Sequence, residues 1–288
     1  MANIKDLKKK IKSTKGTLKI TTAMKLVSAA KMAKAQAAIV NSKPYAIELE
    51  STIKTISALI QDYSNKLLEP SKSNKVLLLI ISANKGLCGG FNAQLGKEVK
   101  KVLNDENADI KVSFVGKKLR ELFKGQVEED KFYTFDKNEA SYSDVKSIGE
   151  ELCEKFLSGE YGKVYVAYNV FQSAISFIPT VKQILPIELK VEEKKELQEK
   201  FPFDFKYDQS PSDILDSLIP ETIETGLYTS YLDSLAAEHG SRMTAMDSAA
   251  GNCKELIRTT TLKMNKLRQA AITTELIEVI SGAESLNA

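Results

Sequence analysis

A glycine-rich loop is the part of this 288-residue sequence best suited to chemistry. It runs from Asn84 to Asn92 (NKGLCGGFN), between an apolar, strand-like segment and a helical one. In doubly wound α/β folds, loops at this position bind phosphate groups. Its glycines, Gly86, Gly89 and Gly90, fit neither the GxGxxG nor the GxxxxGK[ST] pattern. A tight strand-to-helix turn that requires positive φ is therefore the main alternative to a phosphate site.

The single histidine and the three cysteines offer little further chemistry. His239 has no second histidine with which to bind a metal ion, and we expect a packed core residue. Cys88 lies near a helix start, where a thiolate is favoured, but no histidine or aspartate is matched to it. Cys88, Cys153 and Cys253 form no CxxC pair, and their odd number indicates a reducing compartment. The sequence predicts no catalytic constellation, no metal site and no cofactor.

The loop belongs to a middle segment in which strands and helices alternate. Val76–Ser82 (VLLLIIS) is a continuous apolar run, typical of a strand buried on both faces. The pattern then predicts a helix over Phe91–Leu103, a strand over Ile110–Val115, a short helix over Lys117–Lys124, a strand over Phe132–Phe135, a helix over Ser143–Leu157, and strands over Val164–Val170 and Ile175–Leu189. This alternation predicts an α/β sandwich with a mostly parallel sheet and an antiparallel edge.

The two ends of the chain carry long helical patterns. All seven prolines lie between Pro44 and Pro220, and because proline costs about 3 kcal/mol inside a helix, the proline-free ends can form long helices. We expect a helix from Glu221 to Leu286, roughly 100 Å long at 1.5 Å per residue. A heptad seam is predicted at Leu232, Ala236, His239, Met243, Met246, Ala250, Cys253, Ile257, Thr260, Met264, Leu267, Ala271 and Thr274.

The amino end has the same seven-residue repeat, so the two ends are predicted to pair as an antiparallel coiled coil. Its seam is predicted at Ile4, Leu7, Ile11, Thr14, Leu18 and Thr21, followed by a shift to Met24 and Val27. Both seams are rich in Ala, Thr, Ser and Met. Such a seam indicates either simply a thin coiled coil or a shaft that must stay slim to fit inside another protein.

Basic residues are concentrated in the same two ends. Met1–Lys43 holds eleven lysines and one aspartate, and Arg242–Arg268 holds six basic and two acidic side chains. Lysine-rich faces bind nucleic acid, anionic lipid or acidic protein surfaces, or remain solvated. The first 44 residues contain no Phe, Tyr or Trp, which argues against base stacking and so against nucleic acid.

The carboxyl end finishes in a segment that is apolar on most of its circumference. Ala271 and Thr274 continue the seam, while the other sides carry Ile272, Leu276, Ile277, Val279 and Ile280, here called the apolar tip. One coiled-coil partner cannot cover such a helix. We therefore expect another protein to surround the apolar tip.

Membrane insertion and export are not indicated by the sequence. The longest uninterrupted apolar run, Val76–Ile81, is far too short to cross a bilayer. The basic amino terminus lacks the apolar core of a secretory signal, and we interpret it as mature protein rather than as a transit peptide.

In several segments the sequence resembles the gamma subunit family of F-type ATP synthases. Ile20–Met32 (ITTAMKLVSAAKM) is similar to the amino-terminal signature of the family. Arg242–Met246 (RMTAM) and Asn265–Leu276 (NKLRQAAITTEL) are similar to its carboxyl-terminal signatures, and Gly86–Asn92 matches the loop after its first strand. The likeness extends over essentially the whole chain.

This resemblance implies a non-catalytic rotor shaft that couples proton-driven rotation to ATP synthesis. It implies two coiled-coil helices, at 1–68 and 211–286, with an inserted Rossmann-like α/β domain at 74–208. The implied partners are three alpha and three beta subunits, the epsilon subunit on the α/β domain, and the membrane c-ring, with no nucleic acid and no direct membrane contact. The implied location is the cytoplasmic face of the bacterial inner membrane.

The resemblance also implies roles for individual residues. Contacts to the alpha/beta ring fall at Met24, Arg242, Arg268, Gln269, Thr273 and Glu275, and a foot on the membrane ring at Lys43, Pro44, Tyr45, Phe205, Lys206 and Tyr207. The apolar tip would turn inside the ring as a bearing. Thr22 and Ser241 depart from the family pattern, which often has Lys and an acid there. The regulatory cysteine pair of chloroplast relatives is missing, so no thiol switch is predicted.

Two other functions stay open on the residues alone. A nucleotide-binding α/β enzyme with a coiled-coil dimerisation arm would bind its ligand through the Gly86–Gly90 loop. A basic coiled-coil adaptor would bind DNA with a steep salt dependence.

Overall fold

The computed structural model describes residues 4–60, 63–105, 109–135, 139–187 and 206–286. The chain divides into two compact units. One, here called the coiled-coil unit, consists of Met1–Ser28 and Arg242–Ala288, and the other, the α/β unit, is Ala29–Ser241. Two long helices, α1 (Ile4–Leu59) and α5 (Pro211–Leu286), contribute residues to both units.

The α/β unit contains a five-stranded sheet. Its strands are β1 (Lys75–Ile81), β2 (Asp109–Val115), β3 (Glu128–Tyr133), β4 (Lys163–Ser173) and β5 (Ser176–Leu185), and its further helices are α2 (Phe91–Asp105), α3 (Lys117–Phe123) and α4 (Tyr142–Leu157). The spatial order is β3-β2-β1-β4-β5. Strands β1 to β4 are parallel, whereas β5 turns back and pairs antiparallel with β4. The predicted mostly parallel sheet with an antiparallel edge is confirmed.

Strand β1 lies at the centre of the core because its two faces are both covered. Leu77, Leu79 and Ile81 pack on one face with α4 and with parts of α1 and α5. Leu78 and Ile80 pack on the opposite face with α2 and α3. A central parallel strand therefore needs apolar residues at every position, which is why its sequence shows no alternation.

Both long helices pass through a proline, so the helix start at Glu221 expected from the proline-free carboxyl end is wrong. Helix α5 begins at Pro211 rather than at Glu221 and continues through Pro220, and α1 continues through Pro44. Around Pro220 the side chains of Leu215, Ile219 and Ile223 are at most 2% exposed. Burial of these side chains offsets the lost hydrogen bond, since each contributes about 1.5–3 kcal/mol against about 3 kcal/mol for the proline.

The remaining differences lie at the ends of helices and strands, and the largest are in the strands. Strand β3 begins at Glu128, four residues before the predicted start, because its polar residues make side-chain contacts at the sheet edge, such as the 2.7 Å hydrogen bond from Ser113 to Asp130. Strand β5 begins one residue later than predicted and ends at Leu185; Leu189, the predicted end, lies outside the described residues. Within the described ranges, no helix carries an apolar stretch long enough to cross a lipid bilayer.

Candidate functional site

The coiled-coil unit is built on a seam of small and hydroxyl side chains. On α1 the buried residues are Leu7, Thr21 and Ser28, and on α5 they are Arg242, Met246, Ala250 and Thr260. Leu7, Thr21, Met246, Ala250 and Thr260 are positions of the predicted heptad seam, which is confirmed there. Thr274, the last predicted position, is exposed. The expected shift to Val27 is wrong, because Val27 is 57% exposed. The seven-residue step from Thr21 leads to Ser28 instead.

Two seam hydroxyls on α1, those of Thr14 and Thr21, donate hydrogen bonds within their own helix. Thr21 Oγ1 donates to the carbonyl oxygens of Thr17 and Leu18, each at 3.1 Å. Thr14 Oγ1 donates to the Lys10 carbonyl at 2.9 Å. A buried hydroxyl without a partner would cost about 1–3 kcal/mol. Because these bonds run along the helix, small polar residues face the partner helix without that cost.

One ion pair joins the two helices of this unit and reports their register. Lys25 Nζ lies 2.7 Å from Asp247 Oδ1. In an antiparallel pair, each step towards the amino end of α1 matches one step towards the carboxyl end of α5. Starting from Lys25 opposite Asp247, this count places Ile4 opposite Arg268. Helix α5 therefore continues past the first described residue of α1. All five residues of the apolar tip lie in this continuation, and each is at least 53% exposed.

The residues expected to contact an alpha/beta ring fall into two groups within this unit. Arg268, Gln269, Thr273 and Glu275 are all exposed and lie within about two turns of each other. Thr273 Oγ1 donates to the Gln269 carbonyl at 3.0 Å. Met24 is half-buried and Arg242 is buried, and both lie towards the other end of the unit.

The residues expected to form a foot belong to the α/β unit. Lys43 Nζ lies 3.3 Å from Asp233 Oδ2, and the Tyr45 hydroxyl donates to Glu221 Oε1 at 2.7 Å. These contacts tie α1 to α5 on either side of Pro44, which is exposed. The hydrogen bond to Glu221 raises the pKa of Tyr45. Burial raises the pKa of Asp233 despite the opposing charge of Lys43.

The second part of the expected foot lies just before α5. Tyr207 is partly buried and packs against the core cluster that contains Leu215 and Ile219. Lys206 is exposed, and Phe205 lies outside the described residues. The contacts of Lys43 and Tyr45 described above reach Asp233 and Glu221, in the amino-terminal half of α5.

The glycine-rich loop is a tight turn held against α5. Leu87 and Gly89 have φ of 61° and 56°. The Ser241 hydroxyl donates to the Cys88 carbonyl at 2.5 Å, and Asn92 binds both the Ala83 N–H, at 3.1 Å, and the Cys88 sulfur, at 3.2 Å. The Cys88 thiol is 3% exposed. The turn interpretation therefore explains Gly89 but not Gly86 or Gly90, whose φ is not positive. A buried thiol is unsuited to attack a substrate.

His239 is a buried residue of α5 that faces a loop. Its Nε2 lies 3.4 Å from Glu139 Oε1, and Lys31 Nζ lies 2.5 Å from the same oxygen. Burial raises the pKa of Glu139, but the hydrogen bond and charge of Lys31 outweigh it and lower the pKa overall. The predicted packed histidine is confirmed. Sequence reasoning missed Glu139, because its partners lie about a hundred residues away in the chain and no local pattern marks it.

Comparison with known proteins gives this arrangement its context. The model of a family described as ATP synthase matches residues 3–286. The ATP synthase gamma chain of Geobacter metallireducens is 41% identical over 289 residues, with 99% of each chain covered. That of Christiangramia forsetii is 40% identical over 291 residues, with 100% of each chain covered. The chain belongs to the ATP synthase gamma chain family.

Solved structures that share this fold include chains of two mitochondrial enzymes. A chain of the Euglena gracilis ATP synthase has a TM-score of 0.67 at 19% identity, covering 98% of this chain and 94% of that one. A chain of the Tetrahymena thermophila central stalk and c-ring has a TM-score of 0.57 at 22% identity, covering 80% and 99%. The predicted fold class, long terminal helices that pair as a coiled coil around an inserted α/β domain, is therefore confirmed.

Proposed function

We propose that this chain is the central rotor shaft of a bacterial F-type ATP synthase. It is a stalk subunit and carries no catalytic site of its own. The observation that supports this function best is the apolar tip: five large aliphatic side chains are exposed on the part of α5 that lies beyond the first described residue of α1. Contact with a surrounding sleeve would bury them, and each fully buried aliphatic side chain contributes about 1.5–3 kcal/mol.

The sleeve is a ring of three alpha and three beta subunits. A two-helix shaft presents different side chains in each direction, so each catalytic site on the ring meets a different face of it. Catalytic sites that contact different faces of the shaft therefore differ in their affinity for ADP, phosphate or ATP. Rotation exchanges these states in order, because a difference in contact energy shifts the population of each site.

Individual residues take distinct parts in this coupling. Arg268 and Gln269, just before the apolar tip, and Thr273 and Glu275, within its first turn, contact the ring. A guanidinium group there suits acidic loops on the beta subunits. Met24 and Arg242 contact the ring at the other end of the coiled-coil unit. The functional division of the chain is a shaft at 1–68 and 211–286 and an α/β domain at 74–208 that docks the epsilon subunit.

The chain also rests on the membrane c-ring. Lys43, Pro44 and Tyr45, together with Phe205, Lys206 and Tyr207, form that foot. Proton flow through the c-ring turns the foot and hence the shaft. The chain is a peripheral subunit, placed at the cytoplasmic face of the inner membrane and connected to the bilayer only through the c-ring.

Reconstitution tests the proposed function. The alpha and beta subunits of the same organism are co-expressed with and without this chain, and ATP hydrolysis is measured after size-exclusion chromatography. We expect one large complex that contains the chain and shows higher, sustained turnover. Separate elution with unchanged turnover would contradict the rotor function.

A further inference from the structure

A cleft of about 590 Å³ lies in the α/β unit beside the last strand of the sheet. Its lining includes five consecutive residues of β5, from Thr180 to Ile184, and faces of α1 and α5. Successive residues of a strand point to opposite faces of the sheet. A cleft that contacts five of them in a row therefore reaches the edge of β5, and it also extends onto the sheet face at Val166 of β4.

That edge carries unpaired backbone groups in the part of the chain that the structure describes. Strand β5 is last in the sheet order and pairs with β4 alone. Pro179 lies opposite Asn169 in a regular antiparallel register. Because proline has no N–H group, it occupies a position whose backbone faces away from the partner strand. By alternation the N–H and C=O groups of Val181 and Gln183 also face away from β4, towards the cleft.

Gly226 of α5 keeps the cleft open. It lines the cleft, and no atom lies within 4 Å of the position that its Cβ would take. A glycine inside a helix costs about 1 kcal/mol relative to alanine. Close packing does not account for this glycine, since the space beside it is empty. Its missing side chain instead leaves room next to the free edge of β5.

The mouth of the cleft has an excess of positive charge. Lys54 Nζ and Lys182 Nζ lie 3.1 Å and 3.4 Å from different oxygens of Glu50. Two ammonium groups thus share one carboxylate, and the side chain of Lys182 is 54% exposed. Deeper in the cleft the lining is apolar and includes Ile223 and Leu227. This combination suits a peptide that carries one carboxylate among apolar side chains.

We propose that an extended segment of another subunit of the assembled enzyme binds in this cleft as a sixth strand of the sheet. Its backbone pairs with Val181 and Gln183, a carboxylate binds Lys54 and Lys182, and an apolar side chain fills the space beside Gly226. Strand addition to an exposed sheet edge takes its affinity from main-chain hydrogen bonds and its specificity from side-chain pockets. Pro179 ends the pairing on one side, so the added strand is short.

Hydrogen–deuterium exchange at single-residue resolution tests this proposal, which rests on the rotor function because it uses the assembled synthase. The amides of Val181 and Gln183 are followed in the full chain alone and in the purified synthase. We expect about tenfold slower exchange in the synthase, since a new hydrogen bond must open before exchange. Thr180 and Lys182, already paired with β4, serve as internal references. Equal rates at Val181 and Gln183 in both samples would overturn the proposal.

Two substitutions of Gly226 distinguish an effect on binding in the cleft from an effect on the fold of the chain. Gly226→Ala adds one carbon and leaves the cleft largely open, whereas Gly226→Leu fills it. Because both remove a helix-breaking residue, we expect neither to lower the melting temperature of the isolated chain. In the synthase, Gly226→Ala retains the slow exchange of Val181 and Gln183, and Gly226→Leu loses it. Slow exchange retained in Gly226→Leu would contradict the proposal.

Two further outcomes are informative: one identifies a different occupant of the cleft, and the other concerns the rotor function. A concentration-dependent dimer of the isolated chain, with the same two amides protected, would assign the edge to a second copy and overturn the partner segment. Failure of the chain to co-purify with the synthase subunits would contradict the rotor function itself. If the complex does form, hydrogen exchange at Val181 and Gln183 therefore tests the sixth strand separately from the rotor function.

Discussion

Lys25 and Asp247 meet across the coiled-coil unit, with Nζ 2.7 Å from Oδ1. Both side chains are largely exposed, at 39% and 61%. Exposed ion pairs contribute little to stability because water screens them. The pair therefore reports the antiparallel register, which the buried seam around Thr21 and Met246 maintains.

Removal of this pair is expected to have a small effect. In a double-mutant cycle with Lys25→Ala and Asp247→Ala, we expect a coupling of about 0.2–1 kcal/mol in the free energy of unfolding. Urea titration of the full chain at low and high salt provides the measurement. The coupling should shrink at high salt. A coupling above about 2 kcal/mol, independent of salt, would show that the pair itself holds the register.

Gly116 is expected to be intolerant of any side chain. Its φ is 95°, and an added Cβ would lie 2.0 Å from the Ser82 carbonyl oxygen. We expect Gly116→Ala to lower the free energy of unfolding by more than about 3 kcal/mol, since backbone strain of about 1–3 kcal/mol adds to the clash. Gly125→Ala is the matched control, because φ there is 76° and the space is open. If urea denaturation gives equal losses for both variants, the clash contributes nothing.

Charge reversal at Arg268 is expected to weaken assembly or coupling. Arg268→Glu places a carboxylate in the exposed group that we assign to the alpha/beta ring, where it would repel acidic loops. Proton-driven ATP synthesis in membrane vesicles is the measurement, and we expect at least a severalfold loss. Lys97→Glu, which makes the same change of charge at an exposed position of α2, is the control. Synthesis at the wild-type rate in Arg268→Glu would contradict the assignment.

Truncation after Glu275 is expected to separate assembly from folding. The change removes Leu276, Ile277, Val279 and Ile280, which are exposed and make no contribution to the core of the α/β unit. We expect the truncated chain to keep its melting temperature by circular dichroism and to lose assembly or torque. Global unfolding of the truncated chain would refute the sleeve around the apolar tip.

A buried network around Asp130 is expected to make stability depend on pH. Its carboxylate accepts hydrogen bonds from Lys155 at 2.6 Å, Ser113 at 2.7 Å and Tyr161 at 3.1 Å. Burial raises the pKa of Asp130, but these bonds, led by that from Lys155, lower it overall. The folded state therefore favours the ionised form, and its stabilising effect is present above the unfolded pKa of about 3.9.

This effect disappears as pH falls through the lowered pKa of the folded state. We expect Asp130→Asn to lower the free energy of unfolding at pH 7 by about 1–3 kcal/mol and to reduce the loss of stability on acidification. Urea midpoints between pH 3 and pH 7 provide the measurement. Lys97→Asn, an exposed substitution, is the control. Identical pH slopes for wild type and Asp130→Asn would contradict the assignment.

The heptad seam and the sheet could be predicted because their signals are local. Leu7, Thr21, Met246 and Thr260 repeat at steps that any α-helix converts into one face. The run of apolar residues in β1 likewise requires cover on both faces of a strand. Each signal depends only on neighbouring residues, which the sequence displays directly.

The parts that could not be predicted depend on tertiary contacts. Helix α5 passes Pro220 because Ile219 and Ile223 are buried in a core assembled from distant segments. The contacts from Lys43 to Asp233 and from Lys31 to Glu139 join residues 190 and 108 positions apart. No periodicity marks such pairs. The exposure of Val27 was missed for the same reason, since only the partner helix decides which face is covered.

The hydroxyl groups of Thr14 and Thr21 have a mechanical consequence. Their hydrogen bonds run along α1, so twisting one helix about the other changes van der Waals contacts at these positions and breaks no directional bond there. Such contacts weaken gradually with distance, whereas a hydrogen bond between helices would be lost abruptly. At these positions the helix pair can therefore twist gradually under an applied torque and release the stored elastic energy when the torque is removed.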